Sequence, residues 1–238
     1  MISLRSVTKT YEPERMRPIE ALRHVDLDIR QGEFVVVTGR SAAGKTTLLN
    51  VIAGLTRPTT GTVTLNGADL WRLSDRQQSL LRNRAMGFVF QFPSLLPSLS
   101  VLQNVLLPLS LSRVADTEGK RRAIELLTTV GLSDRVTSYP RHLSAGQQQR
   151  VVIARALVNG PELLLADEPS SDLDEQTEAE IMALFSAIHG DTGITIVLVT
   201  HTRQLVAYGT RHLAMAGGVF TDTPCSSGAA QELLVGGP

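Results

Sequence analysis

The fold of this chain is decided by two adjoining stretches, Phe34-Val35-Val36-Val37-Thr38 and Gly39-Arg40-Ser41-Ala42-Ala43-Gly44-Lys45-Thr46. The first is an apolar run bounded by glycines, which is typical of a strand buried on both faces. The second has glycine, four residues, glycine, lysine and threonine, a pattern whose backbone N–H groups curl around phosphate. Residues 46–53 then predict a helix that ends at Gly54. A strand, a glycine loop and a helix in this order predict a phosphate-binding loop.

A second buried strand ends in two carboxylates. Leu163-Leu164-Leu165-Ala166 is a continuous apolar run, and Asp167 and Glu168 follow it directly. Because ligands of open parallel sheets bind beyond the carboxyl ends of the strands, we expect both carboxylates near the phosphate site. Asp167 is suited to Mg²⁺, directly or through water, which leaves Glu168 to polarise an attacking water. Ordinary polar capping of the strand is the alternative explanation.

A third stretch, Leu143-Ser144-Ala145-Gly146-Gln147, begins a predicted helix over residues 145–158. Ser144 and Gln147 have capping-box spacing, which explains those two residues completely without a ligand. Gly146 is different, because a glycine inside a helix costs about 1 kcal/mol relative to alanine. We therefore expect some group to approach the backbone closely at Gly146, and an anion at this helix start would fit.

Composition narrows the possible functions. The chain has 238 residues, 23 Lys and Arg against 23 Asp and Glu, and therefore no net charge to attract nucleic acid or anionic lipid. Aromatic residues make up 4%, which also disfavours a surface for stacking bases. The single cysteine, Cys225, cannot form an internal disulfide, so a reducing compartment is expected. Residues 1–5 have no long apolar core, so no secretory signal is predicted.

The uncharged segment 95–112 is about as long as a membrane span. Pro97 and Pro108 interrupt it, so a buried or interface-facing helical segment is favoured over a span. Around it, residues 70–159 have mainly helical patterning, as in residues 118–130, where Ile124, Leu127 and Val130 fall on one face. We predict a helical insertion into the core.

The flanking segments complete this outline. Residues 25–29 and 62–65 alternate as strands, and Asn66-Gly67 predicts a hairpin turn, which indicates an antiparallel flank. Strand patterning returns at residues 194–200, whereas residues 12–20 predict a loop and the residues after about Thr221 a loosely constrained tail.

Together these segments resemble the ATP-binding cassette (ABC) ATPases. The phosphate loop matches Walker A, residues 163–167 match Walker B, and residues 143–147 match the family signature. Gln91 in Gly87-Phe88-Val89-Phe90-Gln91 matches the Q-loop, and Ser171-Asp172-Leu173-Asp174 matches the D-loop. His201 matches the switch histidine, and Tyr11 the A-loop position that stacks on adenine. The matches follow the family's order over roughly residues 2–220.

The resemblance implies an α/β fold: a P-loop NTPase core with a parallel sheet, an antiparallel β flank and a helical subdomain. We expect one ABC ATPase domain over residues 1–220, with the helical subdomain at about 92–160 and a tail at 221–238. The chain departs from the family pattern at three places. Ala145 replaces a signature glycine but keeps its backbone N–H, Ala42-Ala43 limit the flexibility of Walker A, and Asp172 adds an acid to the D-loop.

The resemblance also implies ATP and Mg²⁺ as cofactors and assigns roles. Glu168 would activate water, while His201 and Lys45 stabilise charge on the γ-phosphate; Thr46, Gln91 and Asp167 would hold the metal. The expected nucleotide contacts are Tyr11, Gly39, Arg40, Ser41, Ala42, Ala43, Gly44, Lys45, Thr46, Thr47, Gln91, Ser144, Ala145, Gly146 and Gln147. Each ATP would lie between Walker A of one subunit and the signature of another in a head-to-tail pair, expected to be a homodimer.

A transporter ATPase with a separate integral membrane permease is the implied function, located peripherally on the cytoplasmic face of the inner (plasma) membrane. Phe88-Val89-Phe90-Gln91, Leu95-Leu96-Pro97, Gln103-Asn104-Val105 and Leu107-Pro108-Leu109 resemble the lipoprotein-release and macrolide-export group. Export or mechanical extraction of lipid, lipoprotein, peptide or drug is therefore predicted, and no nucleic acid partner is expected. The alternatives are an importer ATPase, a soluble ABC protein acting on nucleic acid, and a small-molecule kinase.

Overall fold

The computed structural model describes residues 1–12, 17–111 and 116–221. Its strands are β1 Ile2–Tyr11, β2 Ile19–Ile29, β3 Phe34–Thr38, β4 Thr60–Leu65, β5 Ala68–Asp69, β6 Met86–Val89, β7 Leu163–Asp167, β8 Thr195–Thr200, β9 Arg211–Ala216 and β10 Val219–Thr221. Its α-helices are α1 Lys45–Ile52, α2 Asp75–Ala85, α3 Val101–Leu106, α4 Asp116–Thr129, α5 Ala145–Leu157 and α6 Glu175–Thr192. Short 3-10 turns cover Leu70–Arg72, Leu107–Leu111, Ser133–Arg135, Pro140–His142 and Arg203–Tyr208.

The predicted parallel core is confirmed as a six-stranded sheet in the order β10-β9-β3-β8-β7-β6. Strand β3 pairs in parallel with β8 and β9, and β7 pairs in parallel with β8 and β6. In register, Thr38 lies beside Thr200, and Asp167 lies beside Val199. The loops that follow β3, β7 and β8 therefore leave the same edge of the sheet next to one another.

The predicted antiparallel flank is also confirmed, as a four-stranded sheet in the order β2-β1-β4-β5. The turn between β4 and β5 has Asn66 at φ 50° and Gly67 at φ 80°, the left-handed conformation that a tight hairpin needs. Helix α1 lies between the two sheets, where Leu48 and Val51 pack with Val35 of β3 and Leu4 of β1.

The helices cover the opposite face of the core sheet. Neighbouring residues of one strand point to opposite sides, so Val36 joins a second apolar cluster on that face. Helices α4, α5 and α6 fill this cluster, for example with Leu127, Ile153 and Phe185. The start of α5 and the start of α6 are consequently held beside the core.

Two details of the sequence prediction were wrong. Residues 86–89 form a core strand inside the mainly helical stretch, because a four-residue strand is too short to show a clear period. Ile124 was expected on the buried face of α4, but it is 39% exposed. Ala123, Leu127 and Val130 form that face instead, at the i, i+4, i+7 spacing of a helix.

The uncharged segment that begins at residue 95 contains a short helix and a 3-10 turn, not a membrane span. Helix α3 buries Val101 and Val105 and leads into the turn Leu107–Leu111. Within the three described ranges, none of the helices has the length and apolar character needed to cross a bilayer. The tail prediction for residues 222–238, Cys225, and part of the loop predicted at residues 12–20 lie outside the described residues.

Candidate functional site

The phosphate loop turns directly into α1, with Lys45 as the first helical residue. Gly44 has φ 103°, and a side chain there would put its Cβ 2.4 Å from the carbonyl oxygen of Ala21. A Cβ at Gly39 would lie equally close, 2.4 Å from the carbonyl oxygen of Met215. Only glycine fits at these two positions, because the loop is pressed against β2 and the end of β9.

Ala42 gives this loop an unusual conformation. Its φ of 63° lies in the left-handed region, which costs an L-residue with a Cβ roughly 1–2 kcal/mol. The sequence predicted that the alanines limit the loop's flexibility. Ala42 adopts a backbone conformation that glycine would adopt without strain. Ala43, next to it, is buried and its N–H donates to the carbonyl of Arg40.

Lys45, Glu168 and His201 form one connected group. The buried Lys45 Nζ donates to the Gly39 carbonyl at 2.7 Å and lies 3.3 Å from Glu168 Oε1. The second carboxylate oxygen, Oε2, accepts from His201 Nδ1 at 2.7 Å and from the His201 backbone N–H at 3.2 Å. Glu168 itself has φ 48°, so its backbone is held in a strained conformation at the strand end. The carboxylate is thus oriented by a cation on one side and an imidazole on the other.

Asp167 and Thr46 fit a Mg²⁺ ion. The Thr46 hydroxyl donates to Asp167 Oδ1 at 3.2 Å, which puts two hard oxygen ligands together beside the phosphate loop. Burial raises the pKa of Asp167 above its usual value, and the hydrogen bond from Thr46 opposes this only in part. A partly buried carboxylate of this kind is suited to a cation, whose remaining ligands would be water and phosphate oxygens.

Gln91 lies at the same sheet edge. It follows β6 by two residues, and Val89 of β6 pairs with Ala166, the neighbour of Asp167. Its side chain is exposed and follows the strand that pairs with β7, the strand that ends at Asp167. The position agrees with the predicted metal role, which stays a prediction.

Tyr11 and the phosphate loop share one cavity of about 570 Å³. Residues 42–47 line it from the loop and the start of α1, and Tyr11, Ile19 and Ala21 line it from β1 and β2. Lys9 Nζ lies 4.9 Å from the centre of the Tyr11 ring. A planar base against Tyr11 and phosphates against the loop would fill this space, which is what the sequence predicts for ATP.

The predicted signature residues begin α5 and lie elsewhere. Ser144 Oγ accepts from the Gln147 N–H at 3.3 Å, and Gln147 Oε1 accepts from the Ser144 N–H at 3.0 Å, so the capping box is confirmed. Residues 144–147 do not line the cavity at Tyr11. The signature is thus not part of the cavity that Tyr11 and the phosphate loop share.

The close approach predicted at Gly146 is present, but the approaching group is a methyl of the same chain. A Cβ on Gly146 would lie 2.5 Å from Thr177 Cγ2 in the first turn of α6. The absence of a side chain at Gly146 is thus explained without the anion that the sequence suggested. Thr177 was missed because nothing local in the sequence links two residues on different helices.

The D-loop connects these parts. The Ser171 N–H donates to the Glu168 carbonyl at 3.3 Å, at the end of the strand that carries the carboxylates. Asp174 caps α6, with Oδ1 accepting from the Thr177 N–H at 3.0 Å and Oδ2 from the Thr177 hydroxyl at 2.6 Å. Because Thr177 also touches Gly146, the D-loop joins Glu168 to the signature helix.

A second cavity, of about 630 Å³, lies between the core and the helical part. Its lining includes Leu55, Phe88 and Phe90, and Phe88 and Phe90 stack with ring centres 5.7 Å apart. Arg155 closes one side, with Nη1 donating to the Ser94 carbonyl at 3.0 Å and Nη2 to that of Pro93 at 3.1 Å. We call this surface the apolar groove; no pattern in the sequence predicted it.

The chain is similar to known proteins over most of its length. The family model described as ABC transporter matches residues 22–171. The lipoprotein-releasing system ATP-binding protein LolD of Syntrophotalea carbinolica is 43% identical over 221 residues, covering 93% of this chain and 97% of LolD. The macrolide export ATP-binding/permease protein MacB of Syntrophobacter fumaroxidans is 42% identical over 222 residues, covering 92% of this chain but 31% of MacB.

Among solved structures, the dimeric bacterial ABC transporter cassette MJ0796 superimposes with a TM-score of 0.85 at 39% identity, covering 93% of this chain and 97% of MJ0796. The same cassette has also been solved as a dimer in a post-hydrolysis state with ADP and Pi.

Proposed function

Because this chain belongs to the ABC transporter family of ATP-hydrolysing cassettes, we propose that its ATP turnover drives a separate membrane permease in export or mechanical extraction. The likeness to LolD and MacB, named for lipoprotein release and macrolide export, supports a lipid, lipoprotein, peptide or drug as the cargo. The protein would then work peripherally at the cytoplasmic face of the inner membrane. An importer ATPase is the alternative that the same site would serve.

Two copies of the chain would enclose two ATP molecules head to tail. This assignment is supported by the cavity at Tyr11, whose lining in one copy does not include residues 144–147. It is supported further by the dimers of MJ0796. The start of α5 in one copy would supply helix N–H groups to the phosphates bound at Lys45 of the other.

The observation that carries the proposal is the position of the Glu168 carboxylate between Lys45 and His201. When ATP arrives, Lys45 would turn from Glu168 to the β- and γ-phosphates, since the phosphates offer it more negative charge. Glu168, still oriented by His201, would take a proton from the attacking water. His201 and Lys45 would stabilise the charge that builds on the γ-phosphate.

A bound Mg²⁺ would offset phosphate charge, and Thr46, Asp167 and Gln91 are the residues that would hold it. The described residues contain no cluster of three or more histidine, cysteine or acidic side chains that would make a site from protein ligands alone. The expected ion would therefore be shared between protein and nucleotide.

The apolar groove is the surface we assign to the permease. Leu55, at 49% exposure, and Phe90 present apolar area there to solvent. Within the described part of the chain, the Arg155 guanidinium bonds backbone carbonyls and no carboxylate. An apolar permease segment that carries an acidic side chain would complement both features.

The ATPase assignment is tested with Glu168→Gln. This variant should bind ATP as the wild type does, form dimers with ATP, and hydrolyse it about 100-fold or more slowly because the base is lost. Turnover is measured as phosphate release and binding by titration with a fluorescent ATP analogue. Turnover close to that of the wild type would remove Glu168 from the role of base.

The transport assignment is tested by copurification from native membranes with an N-terminal tag. A partner with about four spans and a large extracytoplasmic domain supports export; a compact permease with many spans favours import; nucleic acid alone would overturn the transporter function. Leu55→Asp should lose the partner. Leu80→Asp is the matched control, because Leu80 is 39% exposed on α2 but does not line the apolar groove.

A further inference from the structure

The phosphate loop carries two cations with different surroundings. Lys45 is buried and already held by Gly39 and Glu168. Arg40 is exposed, and across the described residues its side chain has neither a hydrogen bond nor an ion pair. A guanidinium offers a planar fork of donors that matches a carboxylate, so Arg40 is free to bind one from outside this copy.

The D-loop carries two acids with a similar contrast. Both oxygens of Asp174 are taken by Thr177. Asp172 is exposed and has no partner among the residues that the structure describes. Next to it, the Ser171 hydroxyl is buried without a hydrogen-bond partner, so this turn is incompletely satisfied in a single copy.

The contacts of the D-loop hold it beside the signature of the same copy. One end of the loop is bonded to Glu168, and the other caps α6, whose Thr177 touches Gly146 of the signature. In a head-to-tail pair, the signature of one copy lies opposite the phosphate loop of the other. Because the D-loop sits beside that signature, in such a pair it would lie near the phosphate loop of the second copy.

We propose that Asp172 of each copy forms an ion pair with Arg40 of a second, identical copy when ATP closes the dimer. The proposal rests on the head-to-tail dimer of the proposed function and adds the residues that select the partner. A two-fold axis repeats every contact, so one acid and one base on the same chain make two symmetric pairs. The departure at Asp172 is thereby explained as recognition of a second copy of this chain.

Charge reversal tests the pair across the interface. In a Glu168→Gln background, which keeps the dimers from turning over, we make Arg40→Glu in one protein and Asp172→Arg in another. Each alone would place like charges at both contacts, and we expect its dimer to weaken about 100-fold. In the mixture, a dimer with one chain of each kind has opposite charges at both contacts and should recover to within about tenfold of the unreversed chain.

Dimers are measured with ATP and Mg²⁺ by analytical ultracentrifugation, with a different fluorophore on each variant. The control replaces Asp172→Arg by Glu175→Arg, an exposed acid that directly follows the D-loop. Recovery only with Asp172→Arg supports the pair, whereas no recovery, or equal recovery with Glu175→Arg, overturns it. If the unreversed Glu168→Gln chain forms no dimer with ATP, the proposed dimer itself is wrong. If that chain does form a dimer but the mixture shows no recovery, only the ion pair is wrong.

Discussion

Gly146→Ala tests whether the Thr177 methyl explains the glycine in the signature. The new Cβ would lie 2.5 Å from Thr177 Cγ2, so either a helix shifts or Thr177 rotates away from its hydrogen bond to Asp174. Overpacking of this kind costs about 1–3 kcal/mol. Alanine regains up to about 1 kcal/mol of helix propensity, so a net loss of roughly 0–2 kcal/mol is expected.

The chain contains a matched control in α6. Gly190 is helical and exposed, and a Cβ added there meets nothing within 4 Å. Gly190→Ala should therefore stabilise the protein by up to about 1 kcal/mol, leaving a difference of about 1–3 kcal/mol between the two alanine variants.

A second change tests whether the loss of stability arises at the contact between residue 146 and Thr177. Thr177→Ser removes Cγ2 but keeps the hydroxyl that donates to Asp174. Gly146→Ala combined with Thr177→Ser should recover most of the loss. The free energy of unfolding is measured by urea titration followed by circular dichroism, without nucleotide. If Gly146→Ala stabilises the chain as much as Gly190→Ala does, the reasoning from the methyl contact is wrong.

Three further changes test the nucleotide site. Ala42→Gly should change the free energy of unfolding by less than about 1.5 kcal/mol, because relief of left-handed strain is offset by the entropy of glycine; a larger loss in urea would contradict the strain. Asp167→Asn should stabilise the nucleotide-free chain at pH 7 while ATP turnover falls. A carboxyl whose pKa is raised by folding destabilises the folded state above that pKa and ceases to do so as the pH falls through it. The melting temperature should therefore rise in mild acid for the wild type but not for Asp167→Asn. Tyr11→Ala should weaken ATP binding about 10-fold or more, as loss of one stacked base does, while Tyr11→Phe should not; equal titration curves would refute the stacking.

Local patterns predicted the parts that are themselves local. The strand, loop and helix around Lys45 and the capping box at Ser144 each depend on neighbours within a few residues. The strand ends predicted that Asp167 and Glu168 lie near the phosphate loop, but individual contacts between distant segments could not be predicted. The contact of Gly146 with Thr177 and the ion pair of Lys45 with Glu168 depend on how helices and strands pack.

The exposure of individual side chains was predicted only in part from the sequence. The helical period of α4 was correct, yet it gave Ile124 to the buried face, because a shift of one residue moves the face by about 100°. The ordered set of motifs identified the cassette, but it said nothing about the apolar groove, which forms from four separate segments.

The path from Glu168 through the D-loop to Thr177 and Gly146 has a consequence for how two bound nucleotides influence one another. In a head-to-tail dimer, Glu168 of one copy would serve one ATP, and the signature of that same copy would contact the other. Hydrolysis of the first nucleotide would therefore affect the second through residues 168–177 of one chain. The two sites of such a dimer would then hydrolyse ATP cooperatively.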